Sequence, residues 1–141
     1  AEKLGIEVKW QPFNGRALGI YKFGTNEVYL AEKSNLTLAH EVCHFLDFKT
    51  NAVRGDIATA ELVAEFGACV ILSITKGSTE GHTGSIYSYL QMYSKGKNPE
   101  AVLKAIMTVS NRVETVVNLF LDAAESITDA NTTTETTAIS A

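Results

Sequence analysis

The sequence predicts an α+β fold: a small antiparallel or mixed sheet of about three strands, then a wholly helical remainder. Three observations carry this. Short segments rich in Ile, Val, Tyr and Trp crowd the N-terminal third, apolar residues recur at helical spacing from Ser34 onward, and glycine and proline punctuate the junctions. With 141 residues, 45% of them apolar, one domain with a single core is expected.

The strands are expected at 5–10, 17–23 and 27–31, each partly alternating. Pro12, Asn14 and Gly15 mark a turn over 11–16, and Gly24-Thr25-Asn26-Glu27 a tight hairpin. Trp10 is expected in the core. Ser34 or Asn35 can cap a helix that ends near Thr50. After a loop over 51–56, a second helix starts at 57–59 and runs to Lys76, with Gly77 placed as its C-cap. It is apolar over most of its surface and should be central. A glycine-rich loop over 77–84 leads to a short helix near 85–93. Asn98-Pro99-Glu100 then opens a last helix, with Asn98 as cap, running to about 125. The domain is expected to span 1–125. Residues 126–141, rich in Thr, Ala and Ser without aromatics, are expected to be a disordered tail.

Net charge is −4 and basic residues are scattered, so no nucleic-acid-binding role is expected of this domain. The longest apolar run, 68–74, is far short of a membrane span, and the N-terminus carries no signal-like apolar region. No membrane association is expected. Cys43 and Cys69 read as reduced core residues, which points to a cytoplasmic setting. The chain begins without Met and is expected to be one domain of a larger or processed protein.

The chemistry is concentrated in His40-Glu41-Val42-Cys43-His44, an HExxH motif inside the first predicted helix. Residues four apart stack on one helical face, so both imidazoles can share one ion, and zinc accepts neutral imidazole nitrogens. Glu41 lies about 100° round the helix from His40, so it flanks the metal and suits a base acting on water. A catalytic zinc needs a third protein ligand and an open position. The metzincin extension would need Gly at 47 and His or Asp at 50; Asp47 and Thr50 stand there instead. The second helix offers Glu61-Leu62-Val63-Ala64-Glu65. Two carboxylates on an apolar helix are costly to bury unless a cation is near. Glu61 is therefore a candidate ligand and Glu65 a candidate partner for a ligand histidine, against the plainer reading of surface glutamates. Asp47 can orient a ligand histidine or simply end the helix in solvent. Cys43 reads as core filler or a neighbouring thiolate ligand. His82, Tyr87 and Tyr89 are candidates for stabilising an oxyanion, or else loop and core packing.

HExxH followed by ExxxE resembles the gluzincin pattern of thermolysin-like and lethal-factor-like peptidases, in which the first glutamate of the pair is the ligand. The wording Glu61-Leu62-Val63-Ala64-Glu65-Phe66-Gly67-Ala68 is similar to the zincin-like domain of plasmid and phage anti-restriction (ArdC-like) and polyvalent proteins. The likeness covers roughly residues 17–125. His82-Thr83-Gly84-Ser85-Ile86-Tyr87 fits the same layout, although Ser85 stands where a tyrosine is usual, and no separate DNA-binding N-terminal domain is expected within these 141 residues. The resemblance implies a zincin-like fold and a zinc-dependent metallopeptidase acting on a protein or peptide substrate. Its centre would comprise His40, His44 and Glu61 as ligands, Glu41 as general base, and His82 and Tyr87 at the reacting carbonyl. The strand over 27–31, just before the metal helix, is expected to be an edge that pairs with extended substrate. Two rival readings stay open: a catalytically silent zincin-like metal-binding domain acting in protein binding or anti-restriction, and a structural zinc module.

Overall fold

The computed structural model describes the whole chain except residues 14, 16, 51–56, 77–82 and 139–141, and except the side chains of 76, 83–86, 89 and 126–138. Its elements are a short 3-10 turn over Glu2–Leu4, strands β1 (Glu7–Trp10), β2 (Gly19–Tyr21) and β3 (Glu27–Leu30), and helices α1 (Asn35–Thr50), α2 (Ile57–Lys76), α3 (Thr83–Ser94) and α4 (Pro99–Ala138). Helix α4 runs to Ala138 and not to about 125, so it continues into the stretch expected to be a disordered tail.

Local chemistry accounts for the helix starts. Ser34 Oγ accepts from Thr37 N at 3.1 Å, and Asn98 Oδ1 accepts from Ala101 N at 2.8 Å, each occupying an amide that the first turn cannot satisfy. The hairpin between β2 and β3 turns at Gly24, whose φ of +78° favours glycine, and closes through Lys22 N to Glu27 O at 3.0 Å. Thr25 tightens it, donating Oγ1–H to Lys22 O at 2.7 Å and accepting from Glu27 N at 3.1 Å.

The sheet order is β1-β3-β2, with β1 parallel and β2 antiparallel to β3. This corrects one expectation: β3 is the central strand, paired on both sides, and cannot offer an edge to a substrate. The reason is topological. β2 pairs with β3 on the side away from β1, and the free edges belong to β1 and β2. Trp10 is also corrected; it ends an edge strand and is 56% exposed. On the outer face Lys9 and Lys22 pair with Glu27, which holds its carboxyl down at about 2.

Val28 and Leu30 point from β3 into the core, where they meet Phe45 of α1. Behind α1 lie Leu62 and Val63 of α2 and Val116 of α4, all essentially inaccessible. Each such side chain contributes roughly 1.5–3 kcal/mol by leaving water. Helix α1 is thus enclosed by the sheet on one side and by α2 and α4 on the others, which explains why its polar residues Glu41, His44 and Asp47 are buried. Over Ile57–Thr75, α2 has the length and mean hydropathy (1.8) of a membrane span; here it packs against α1, α3 and α4. A cavity of roughly 390 Å³ opens between α2, α3 and α4, lined by Leu62, Phe66, Leu90 and Val113 among others. Leu62 and Phe66 lie about 100° round α2 from Glu61 and Glu65, so the cavity is on a different face from those glutamates.

Candidate metal centre

One helical turn separates His40 from His44, and the enclosure of α1 leaves their rings facing α2. Their centroids are 4.6 Å apart and their Nε2 atoms 3.0 Å apart. From α2, Glu61 brings one carboxylate oxygen to 3.5 Å from His40 Nε2 and the other to 3.6 Å from His44 Nε2. One ligand atom from each residue can be chosen so that all three lie within 4.8 Å of one another.

These spacings can be tested against an ion. Ligands at the usual zinc–nitrogen and zinc–oxygen distances, set tetrahedrally, lie about 3.4 Å from each other. The two Nε2 atoms are 3.0 Å apart, each has a different Glu61 oxygen at 3.5 or 3.6 Å, and one ligand atom from each residue lies within 4.8 Å of the others, so small side-chain adjustments would bring all three to that spacing. Two imidazole nitrogens turned toward each other beside a carboxylate also make a donor set that suits a divalent cation of intermediate softness. The residues fit a metal ion.

Electrostatics set the two imidazoles apart. Burial, together with the neighbouring His40 charge, pushes His44 down to about 4, so it is neutral near pH 7 with a lone pair to give. For His40, burial acts downward, but the hydrogen bond to Glu61 and the charges of Glu41 and Glu65 outweigh it and the net shift is upward. Glu65 Oε1 stands 3.7 Å from His40 Nδ1, the ring nitrogen turned away from Glu61. A carboxylate on that side favours a proton on Nδ1, which leaves Nε2 free for metal.

Glu41 is 6% exposed and turns toward the sheet, where its Oε2 accepts from Tyr21 N at 2.6 Å. Burial raises its carboxyl above the ordinary range, against the opposing pull of His40 and of that amide. The strand alternation explains the contact. Residues 18 and 22 bond to β3, so 19 and 21 turn their backbone groups to the open edge. Gly19 makes the approach possible, since a Cβ there would lie 2.6 Å from Thr37 Cγ2 and 2.8 Å from Glu41 Oε1. Neither residue was singled out by the motif, although a lone glycine inside a strand does signal close backbone approach.

Asp47, 4% exposed, accepts from Arg112 of α4 through both oxygens, the Nε–Oδ1 distance being 2.8 Å. Its charge also acts on His44. Arg112 went unnoticed in the sequence, where the available signal was an arginine among Val109, Val113 and Val116 on the inner face of α4. Cys43 is fully buried against Gly67, its thiol raised by burial, and does not belong to the metal cluster among the described residues. Phe23, 52% exposed, sets its ring edge-on to His44 with centroids 6.4 Å apart. Tyr87 is 62% exposed on α3, and its hydroxyl accepts from Gln91 Nε2 at 2.9 Å. His82 lies outside the described residues, as does the side chain of Tyr89.

The structure therefore gathers His40, His44, Glu61 and Glu65, with Glu41 beside them on the sheet side. No protein-family model, no curated protein and no solved structure matches the chain.

Proposed function

We propose that this chain is a gluzincin-like, zinc-dependent metallopeptidase that hydrolyses peptide bonds. The observation that carries the reading is the His40, His44 and Glu61 cluster with a buried carboxyl, Glu41, one residue from a ligand position. Zinc, when bound, supplies a Lewis acid that polarises a carbonyl and acidifies water.

The chain's own residues do the rest. His40, His44 and Glu61 hold the ion and leave room for a fourth group. Glu65 fixes the His40 ring. Glu41, whose burial favours proton uptake, takes a proton from the attacking water as its oxygen bonds to the substrate carbon. It then passes that proton to the departing amine nitrogen as the C–N bond breaks. β2 is a free edge of the sheet beside Glu41, and an extended backbone added there as a further strand would take over the Tyr21 N–H that now donates to Glu41. Phe23, exposed next to His44, offers an apolar surface for a substrate side chain.

A second reading, a metal-binding domain without turnover acting in protein binding or anti-restriction, is favoured by one contact. The Tyr21 amide already occupies a Glu41 oxygen at 2.6 Å. The two readings part on one experiment. Purified protein is assayed for zinc and for cleavage of unstructured casein and a peptide library, alongside Glu41→Gln. The peptidase reading expects about one equivalent of zinc in both proteins, and hydrolysis reduced ~10²–10⁴-fold in the variant. Zinc without any cleavage by wild type selects the second reading, and no zinc uptake sinks both.

A further inference from the structure

We infer that Arg112 is a positioning residue for the metal centre: by clamping Asp47 it holds the turn of α1 that carries His44. The inference rests on the metal reading above.

The inner face of α4 is otherwise aliphatic around this point, with Val109, Val113 and Val116 packed into or against the core. Arg112 stands in that row with a side chain only 15% exposed, and the Asp47 side chain it meets is 6% exposed. The contact is a fork on a carboxylate, Nε and Nη2 each donating to its own oxygen. Such geometry fixes orientation as well as distance, which a lysine cannot reproduce. Stability does not explain the pair. Burying both charges costs about as much as their attraction returns, and a well-packed apolar pair would serve the core as well or better.

What the pair supplies is register. Asp47 lies three residues past His44, and side chains on a helix lean toward its N-terminus, so its carboxylate leans over the turn bearing His44. Glu65 of α2 stands beside His40, and Asp47 sits three residues beyond His44 on the same helix. Arg112 ties Asp47 to α4, sixty-five residues away. A change at Arg112 should therefore reach the metal only through Asp47.

The test is a double-mutant cycle on zinc affinity, measured by chelator competition on Arg112→Met, Asp47→Asn and the double variant. Urea unfolding of the zinc-free proteins runs in parallel. Each single change should weaken zinc ~10–100-fold, the usual effect of losing a residue behind a ligand histidine. The double variant should bind no more weakly than the weaker single, because both changes remove the same support. Arg112→Lys, which keeps the charge and loses the fork, should fall between wild type and Arg112→Met. It also keeps the test alive if the methionine variant fails to fold. Wild-type affinity in a folded Arg112→Met, or losses that add in the double variant, would overturn the inference while leaving the metal site standing. A wild type that takes up no zinc removes the metal reading itself, and this inference with it.

Discussion

Glu61 and Glu65 are one helical turn apart, yet they meet different atoms. Glu61 faces both Nε2 nitrogens at 3.5 and 3.6 Å, whereas Glu65 faces His40 Nδ1 at 3.7 Å. Glu61→Ala should therefore abolish tight zinc binding by removing a ligand. Glu65→Ala should weaken it only ~10–100-fold, the effect of freeing the His40 ring. Calorimetric zinc titration of both variants decides this, and affinities in the reverse order would assign the ligand to Glu65. The glutamates were readable from sequence because helical periodicity is local: four residues apart means one face, wherever the helix lies. The Arg112–Asp47 pair and the Tyr21 amide on Glu41 were not. They join residues 65 and 20 positions apart, and nothing local encodes such a meeting.

Where α1 crosses α2, the helices approach so closely that a Cβ at Gly67 would stand 2.7 Å from Cys43 Sγ. Gly67→Ala sets two effects in opposition. Alanine favours the helix by about 1 kcal/mol, but overpacking a rigid contact costs typically 1–3 kcal/mol. Cys43 is fully buried and has nowhere to retreat, so the clash should win and urea denaturation should show net destabilisation. Adding Cys43→Ala should restore part of the loss. A Gly67→Ala protein more stable than wild type would mean the crossing is looser than described. Helix starts were legible to within a residue or two because N-caps are short-range signals, as Ser34 and Asn98 show; the end of α4 was not, since no glycine or proline marks it and the helix runs to Ala138. Strand order was not legible either. The hairpin at Gly24 encodes the β2–β3 pairing, but no residue of β1 announces that it will lie parallel to β3. The strand expected to be an edge is consequently the central one.

The fold class was legible as a whole because the change from short β-like segments to helical periodicity at Ser34 is a property of long stretches. The enclosure of α1 by three partners was less so, since a helix buried nearly all round shows little contrast between its faces. That enclosure places the proposed ion between α1 and α2, so zinc should bind the folded chain and not the unfolded one. At a free concentration a hundredfold above its dissociation constant it should add about 2.7 kcal/mol to stability. The wedge of Cys43 against Gly67 turns this into a question of time. A thiol sealed between two helices reacts with an alkylating reagent only when those helices part, whereas Cys69, partly exposed on α2, can be reached without such parting. Cys43 thus serves as a clock for the opening of the α1–α2 seam, with Cys69 as an internal reference in the same molecule. Pulsed alkylation read by mass spectrometry should find Cys43 slowed by zinc, up to ~100-fold at that same excess, while Cys69 keeps its rate. Equal slowing of both thiols would place the effect of zinc somewhere other than the seam.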